Sequence, residues 1–211
     1  MASAWMPKQK AVGWQCCWNE DVTRVIKMVR EAAAELPQPL LTASDASVKT
    51  EEGLTSAWNC ITMQHCDIKI KVPGPNPSAE AAELYGIALV AAAAAACKVT
   101  ISHTTDAQRH VRTSYKIGLW LPTSHTLWWR HIRAALRAEK LELLWSSTKE
   151  KGANPLLTKA DRLAKSATAQ DWALNFAPFA EPRSRLATQL VDQLLYAQEA
   201  ALLLKSSLNL E

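Results

Sequence analysis

Asp45, Glu83, Asp106 and Asp161 are the acids of this chain whose settings suggest chemistry rather than simple solvation. Asp45 falls near the end of a candidate first strand in Ser44-Asp45-Ala46-Ser47, and Glu83 lies in the first turns of an alanine-rich helix within SAEAAEL. Asp106 directly follows another candidate strand in TTDAQ, and Asp161 comes early in a late helix within KADRLAKSA. In an α/β sheet, side chains at strand ends and at neighbouring helix starts converge on one edge. Carboxylates gathered there repel one another, and a low-dielectric setting raises their pKa values unless cations neutralise them. Hard oxygen donors without Cys or His suit Mg²⁺. Two such ions about 3.5–4 Å apart can activate a water and stabilise a leaving oxygen in phosphodiester cleavage.

The elements that must position these acids follow from periodicity and turn chemistry. Residues 19–36 place Val22, Val25, Ile26 and Val29 at helical spacing behind Asn19 as an N-cap, and Pro37 and Pro39 end the helix. A strand is expected from Leu40 to about Ser47, a turn at 51–53, a second strand over 55–63, and a third over 67–72, where IKIKV alternates with period two. Tight connections make these an antiparallel meander. After PGPNPS a helix runs over 78–97, where Ala91 to Ala96 reads as a closely packed buried segment. A β-branched strand over 98–104, helices over 106–117 and 124–138, a strand over 140–145 and a helix over 157–172 follow. A linker with prolines leads to a last helix with Leu186, Leu190 and Leu194 at i+4 spacing. This order implies an α/β fold with a mixed five-stranded sheet flanked by helices. The expected organisation is a helical N-terminal extension (1–38), a core domain (39–171), and a linker with a C-terminal helix (172–211).

Taken together, the four acidic motifs resemble the ribonuclease H family, in the form carried by retroelement reverse transcriptases. Asp45-Ala46-Ser47 resembles the family's D-G/A-S on the first strand, and PSAEAAEL its helix motif ending in A-E-L, which singles out Glu83 rather than Glu80. TDAQ at 105–108 is similar to T-D-S-Q, and ADRLAKSA at 160–167 to A-D-x-L-A-x-x-A. The motifs occur in family order across about 39–171. The resemblance implies the ribonuclease H fold and hydrolysis of the RNA strand of RNA/DNA hybrids. It also implies two Mg²⁺ ions, with Mn²⁺ as a substitute, held by Asp45, Glu83, Asp106 and Asp161. A neighbouring reverse-transcriptase domain is an implied partner. Gln108 matches a family position that contacts the nucleic acid, and Ser47 and Ser78 are candidates of the same kind.

The chain departs from the family in the loop before the last aspartate. The family commonly carries a histidine there that assists proton transfer or product release; SSTKEKGANPLLTK has none, and Lys149 falls nearest its place. The Asn-Glu pair that often precedes the last A-D is also replaced, by Leu157 and Thr158. Two related enzyme classes fit less well. The first strand lacks the D-x-E of proofreading exonucleases, and Glu142, at nearly integrase-like spacing, lies on an expected strand rather than a helix. The alternative from another class is a catalytically weak or inactive domain that keeps the fold and serves in nucleic-acid binding or scaffolding.

Charge is unevenly spread along the 211 residues. Lys98 to Lys165 carries 13 Lys and Arg against 5 Asp and Glu, a net +8 that leaves −4 for the remainder of a chain whose total is +4. A basic half is one footprint of a polyanionic partner. Trp128 and Trp129 beside Arg130, His131 and Arg133 suggest an aromatic and basic face, with at least one tryptophan reserved for the core because adjacent residues point to different sides of a helix. His103 reads as a satisfied core histidine within a buried strand. Trp5, Trp14 and Trp18 could dock on the domain or on a neighbour. The five cysteines contain no C-x-x-C pair, so reduced thiols are expected. The longest apolar run, Gly86 to Cys97, is short of the roughly 20 residues of a spanning helix, and no secretory h-region precedes it. The expectation is an intracellular protein without membrane contact.

Overall fold

The computed structural model describes residues 13–51, 54–73, 77–116, 125–147, 149 and 154–175. The turn at 51–53, most of the loop 146–155, Trp5 and the C-terminal helix with Leu186, Leu190 and Leu194 fall wholly or largely outside the described residues.

Three strands form the meander: β1 (Leu40–Glu51), β2 (Leu54–Met63) and β3 (Asp67–Lys71). β2 pairs antiparallel with β1 (Asp45 opposite Cys60, Ser47 opposite Trp58) and with β3 (Ile61 opposite Ile68). β4 (Ile101–Thr105) then lies parallel to β1, Ala43 level with Thr104, and β5 (Leu141–Trp145) parallel to β4, Thr105 level with Trp145. The order is β3-β2-β1-β4-β5, the mixed sheet expected from the sequence. β4 starts at Ile101 rather than Lys98, because Lys98 sits in the left-handed region (φ 59°) and caps the preceding helix, its N–H reaching the carbonyls of Ala94 and Ala95.

Among the described residues five helices cover the sheet: α1 (Gly13–Glu35), α2 (Ala79–Cys97), α3 (Gln108–Lys116), α4 (Thr126–Arg137) and α5 (Pro155–Asn175). Asn59 of β2 meets α2, donating to the Ala82 carbonyl at 3.1 Å, whereas the Thr62 hydroxyl donates to the Leu156 carbonyl of α5 at 2.8 Å. Three residues along a pleated strand is a change of face, so α2 and α5 lie on opposite sides of the sheet. Gly86 permits the close approach of α2, since a Cβ there would run into the Asn59 amide. By length and composition α2 could pass for a membrane span, but two thirds of it is buried within the fold. Tyr85, Ile87, Leu89 and Ala91 are fully buried among α1, α4 and the sheet.

α1 begins six residues earlier than expected. Asn19 is not its cap; it lies inside the helix, its carbonyl accepting from the Thr23 hydroxyl at 2.8 Å. The added turn carries Trp18 into the core, where it stacks on Trp128 (centroids 6.5 Å apart) and meets Tyr85 edge-on at 5.5 Å. The Tyr85 hydroxyl in turn donates to buried Asp21 at 2.8 Å. Val25 and Val29 are fully buried in the same core as the sheet, so α1 packs on α2 as an integral layer. Trp128 and Trp129 are both buried, against Trp18, Tyr85 and His125 in one case and His110 in the other. The expected aromatic face on α4 is therefore corrected: its tryptophans belong to the core because α4 fills the space beside α1 and α2. Arg130 remains exposed, and Arg133 is half-buried with its Nε unpartnered.

Candidate metal centre

β1 brings Asp45 to the sheet interior, where its side chain is nearly closed off from solvent. Its Oδ1 accepts the Ala46 N–H at 2.8 Å. Glu83, projecting from the second turn of α2, places Oε1 on that same N–H, also at 2.8 Å. One backbone donor thus orients two carboxylates from different elements. Asp106, directly beyond the end of β4, completes a trio whose ligand oxygens all lie within 4.8 Å of one another. The parallel pairing of β1 with β4 produces this convergence, since Ala43 level with Thr104 puts Asp45 and Asp106 at the same height.

The electrostatics are those of unneutralised acids. Burial, then the charges of Asp106 and Asp161, pushes the Asp45 carboxyl up to about 7. Glu83 is raised well above the usual carboxylate range, first by burial and then by the charge of Asp45. Its Oε2 is buried without a donor. Asp106 is raised by burial and by Asp161, with Lys165 and Lys149 pulling the other way. A buried carboxylate oxygen with no donor, facing further carboxylates, needs a proton or a cation. The donor set is all oxygen and fits a hard divalent ion.

Asp161 enters from α5 on the opposite face, close enough for its charge to act on Asp45, but it stands outside the tight trio and is held by Lys165, one turn further on, at 2.7 Å. α5 is aimed at the site by Asn154. Its Nδ2 donates to Thr104 Oγ1 on β4 at 3.1 Å while its Oδ1 accepts the Leu156 N–H at 2.9 Å, capping the helix. Neither Asn154 nor Lys165 was singled out from the sequence. The signals were Asn154-Pro155, an N-cap followed by proline at the first helical position, and the i,i+4 spacing of Asp161 and Lys165.

The other sequence candidates spread around the trio. Lys149 is exposed in the turn after β5, its N–H on Ser147 Oγ at 3.2 Å, near enough for its charge to act on Asp106. Gln108 opens α3, two residues from Asp106, and is half-buried. Ser47 is half-buried on β1, its carbonyl accepting from Thr168 of α5 at 3.1 Å. Ser78 is exposed and caps α2, its hydroxyl accepting the Ala81 N–H at 3.1 Å, which is a structural duty. Arg130 and Arg133 lie on α4 and, among the described residues, make no hydrogen bond or ion pair with the trio. His103 is fully buried between Thr42 (Nδ1, 2.7 Å) and Ser44 (Nε2, 2.9 Å), and burial lowers it to about 3, so it is a neutral core group.

Neither family models nor curated proteins return a match to this sequence. Solved structures do. The solution structure of the PFV RNase H domain superposes with a TM-score of 0.51 at 15% identity, over 65% of this chain and 96% of that one. The foamy viral protease-reverse transcriptase in complex with RNA/DNA hybrid gives 0.43 at 14% over 59% of this chain, which spans only 20% of that larger one. The N-terminal RNase H domain from Mycobacterium tuberculosis, as a maltose-binding-protein fusion, gives 0.39 at 12% over 61% and 98%. The PFV likeness shows the fold: the chain has a ribonuclease H-like fold.

Proposed function

We propose that the chain is a metal-dependent endonuclease that hydrolyses the RNA strand of RNA/DNA hybrids, of retroelement origin. The observation that carries this reading is the convergence of Asp45, Glu83 and Asp106 within 4.8 Å, with Glu83 Oε2 buried and without a donor. A structural role explains such a cluster poorly, because burying mutually repelling carboxylates costs stability unless a ligand offsets it. The ribonuclease H-like fold makes phosphodiester hydrolysis the chemistry to test.

In this reading Asp45, Glu83 and Asp106 hold divalent ions, Mg²⁺ or Mn²⁺, with Asp161 completing the set from α5. Bound there, such ions supply an activated water and charge stabilisation for the leaving oxygen. The chain's own residues do the positioning. The Ala46 N–H fixes the carboxylates of Asp45 and Glu83, and Asn154 locks α5 to β4 so that Asp161 faces the trio. Gln108 and Ser47 flank the trio as contacts to the nucleic acid. Lys149 lies where the family's loop histidine is expected and offers a cation for a phosphate, but it lacks the acceptor nitrogen that an imidazole would bring there. Turnover is therefore slow, since general acid–base assistance is worth about 10²–10⁴-fold.

The test is incubation of purified protein with a hybrid labelled on each strand in turn, with Mg²⁺, Mn²⁺ or chelator. Cleavage confined to the RNA strand and abolished by chelator is expected. Metal-independent cutting contradicts the mechanism, and no cutting with either ion leaves a binding or scaffolding domain.

A further inference from the structure

Among the described residues the outer edge of β5 combines exposed aromatic rings with positive charge, a combination that the acidic site does not use. Among the described residues β5 is the outermost strand, so its outer backbone groups need other partners. Tyr115 of α3 supplies one: its hydroxyl donates to the Leu143 carbonyl at 2.9 Å and accepts the Leu143 N–H at 3.3 Å. This clamp holds the ring in place while leaving the residue 62% exposed. Two residues along, Trp145 is 45% exposed, unlike buried Trp18, Trp128 and Trp129. Tyr115, Leu144 and Trp145 together leave large apolar side chains open at one sheet edge, and a patch rather than a lone residue is what marks an interaction surface.

Charge points to the occupant. Arg112 and Lys116, at i−3 and i+1 from Tyr115, are exposed on α3, and Lys149 is exposed beyond Trp145. Glu142, the acid on this strand, is engaged by the Ser102 hydroxyl at 3.0 Å. The edge is also continuous with the acidic site: Trp145 is level with Thr105, the residue before Asp106, and Ser146 N–H bonds the Thr105 carbonyl at 3.1 Å. Aromatic faces beside cations that track a phosphate backbone are what unpaired nucleic acid requires, since each base stacks on a ring without need of its sequence. An intact duplex keeps its bases stacked and offers these rings little.

We propose that the β5 edge binds an unpaired nucleic-acid strand running to or from the acidic cluster, with Tyr115 and Trp145 as stacking faces and Arg112, Lys116 and Lys149 as phosphate partners. The inference rests on the hydrolytic reading above for the direction of the strand, and it gives the protein a preference for hybrids that continue into a single strand.

The experiment measures binding in chelator, so nothing is cut. Fluorescence anisotropy compares a blunt 12-base-pair RNA/DNA hybrid with the same hybrid carrying a ten-nucleotide RNA overhang. The overhang should bind roughly ten-fold tighter, in line with stacking of a base or two. Trp145→Ala should remove most of that gain and leave blunt-hybrid affinity and melting temperature unchanged, and Trp145→Phe should keep it; Tyr115→Leu should also remove gain, with a lower melting temperature because its hydroxyl no longer partners Leu143. No gain from the overhang in the unaltered protein overturns the proposal. So does a Trp145→Ala variant that melts earlier yet keeps the gain, because the ring would then be a packing group for protein. Failure of the hydrolytic reading looks different: no RNA cleavage with Mg²⁺ or Mn²⁺, whatever the overhang does.

Discussion

Replacing Asp45 with Asn should stabilise the metal-free protein at alkaline pH while destroying its response to divalent ions. The side chain is buried, and its carboxyl is pushed up to about 7 from 3.8, first by burial and then by neighbouring acids. Because the folded state binds this proton more tightly than the unfolded chain, the associated stability is fully present below about pH 3.8. It falls as pH rises and is gone above about 7. The difference corresponds to roughly 4 kcal/mol at pH 8. Glu83, raised by the same causes, adds to the penalty in the same direction. Asparagine keeps the Oδ1 that accepts the Ala46 N–H, removes the charge, and offers an N–H to Glu83 Oε2, which has no donor. For a chain of this size about 4 kcal/mol is on the order of 10 °C in melting temperature. Thermal melts in chelator at pH 4 and pH 8 should show the variant equal to the unaltered protein at the lower pH and several degrees above it at the higher. Adding Mg²⁺ at pH 8 should raise the unaltered protein, by about 2.7 kcal/mol if the ion is present at a hundred times its dissociation constant, and leave the variant unmoved. A variant destabilised equally at both pH values would refute the reasoning, because the carboxylate would then be contributing bonds rather than repulsion.

Gly86→Ala should cost about 1–3 kcal/mol by displacing the Asn59 amide from its bond to α2, seen as a lower midpoint in urea; an unchanged midpoint would show that the amide has room to move. Asn154→Ala should cost about 1 kcal/mol for the lost cap and also weaken Mn²⁺ binding in calorimetry, since α5 carries Asp161; equal Mn²⁺ affinity would detach the cap from the site. Lys149→His should raise hybrid cleavage by up to about 10²-fold at neutral pH, with no gain in an Asp161→Asn background; a rate unchanged by the substitution would mean that position 149 is not the place of the missing histidine. Arg130→Ala with Arg133→Ala should flatten the salt dependence of hybrid binding by about two phosphate contacts, and an unaltered slope would return α4 to a purely structural role.

What the sequence determined by itself is local. The period-two IKIKV of β3, the alanine helix and the β-branched run of β4 announce their elements because periodicity and propensity act over a few residues. The four acidic motifs in order were legible in the same way, each as a short string in its expected element. Tertiary structure decided the rest. Whether Asp45, Glu83 and Asp106 meet depends on β1 and β4 lying parallel in one register and on Gly86 letting α2 come close, and both are pairings between distant segments. Trp128 and Trp129 looked alike and half available from spacing alone; only the packing of α1 and α4 around Tyr85 put both inside. The start of α1 was misplaced for the same reason. Asn19 is a good cap by type, but burying Trp18 stabilises the turn before it, by roughly 1.5–3 kcal/mol if an aromatic ring counts as other large core side chains do, against about 1 for a cap. Short-range preferences are worth fractions of a kcal/mol and burial is worth several, so where the two compete, the tertiary contact wins.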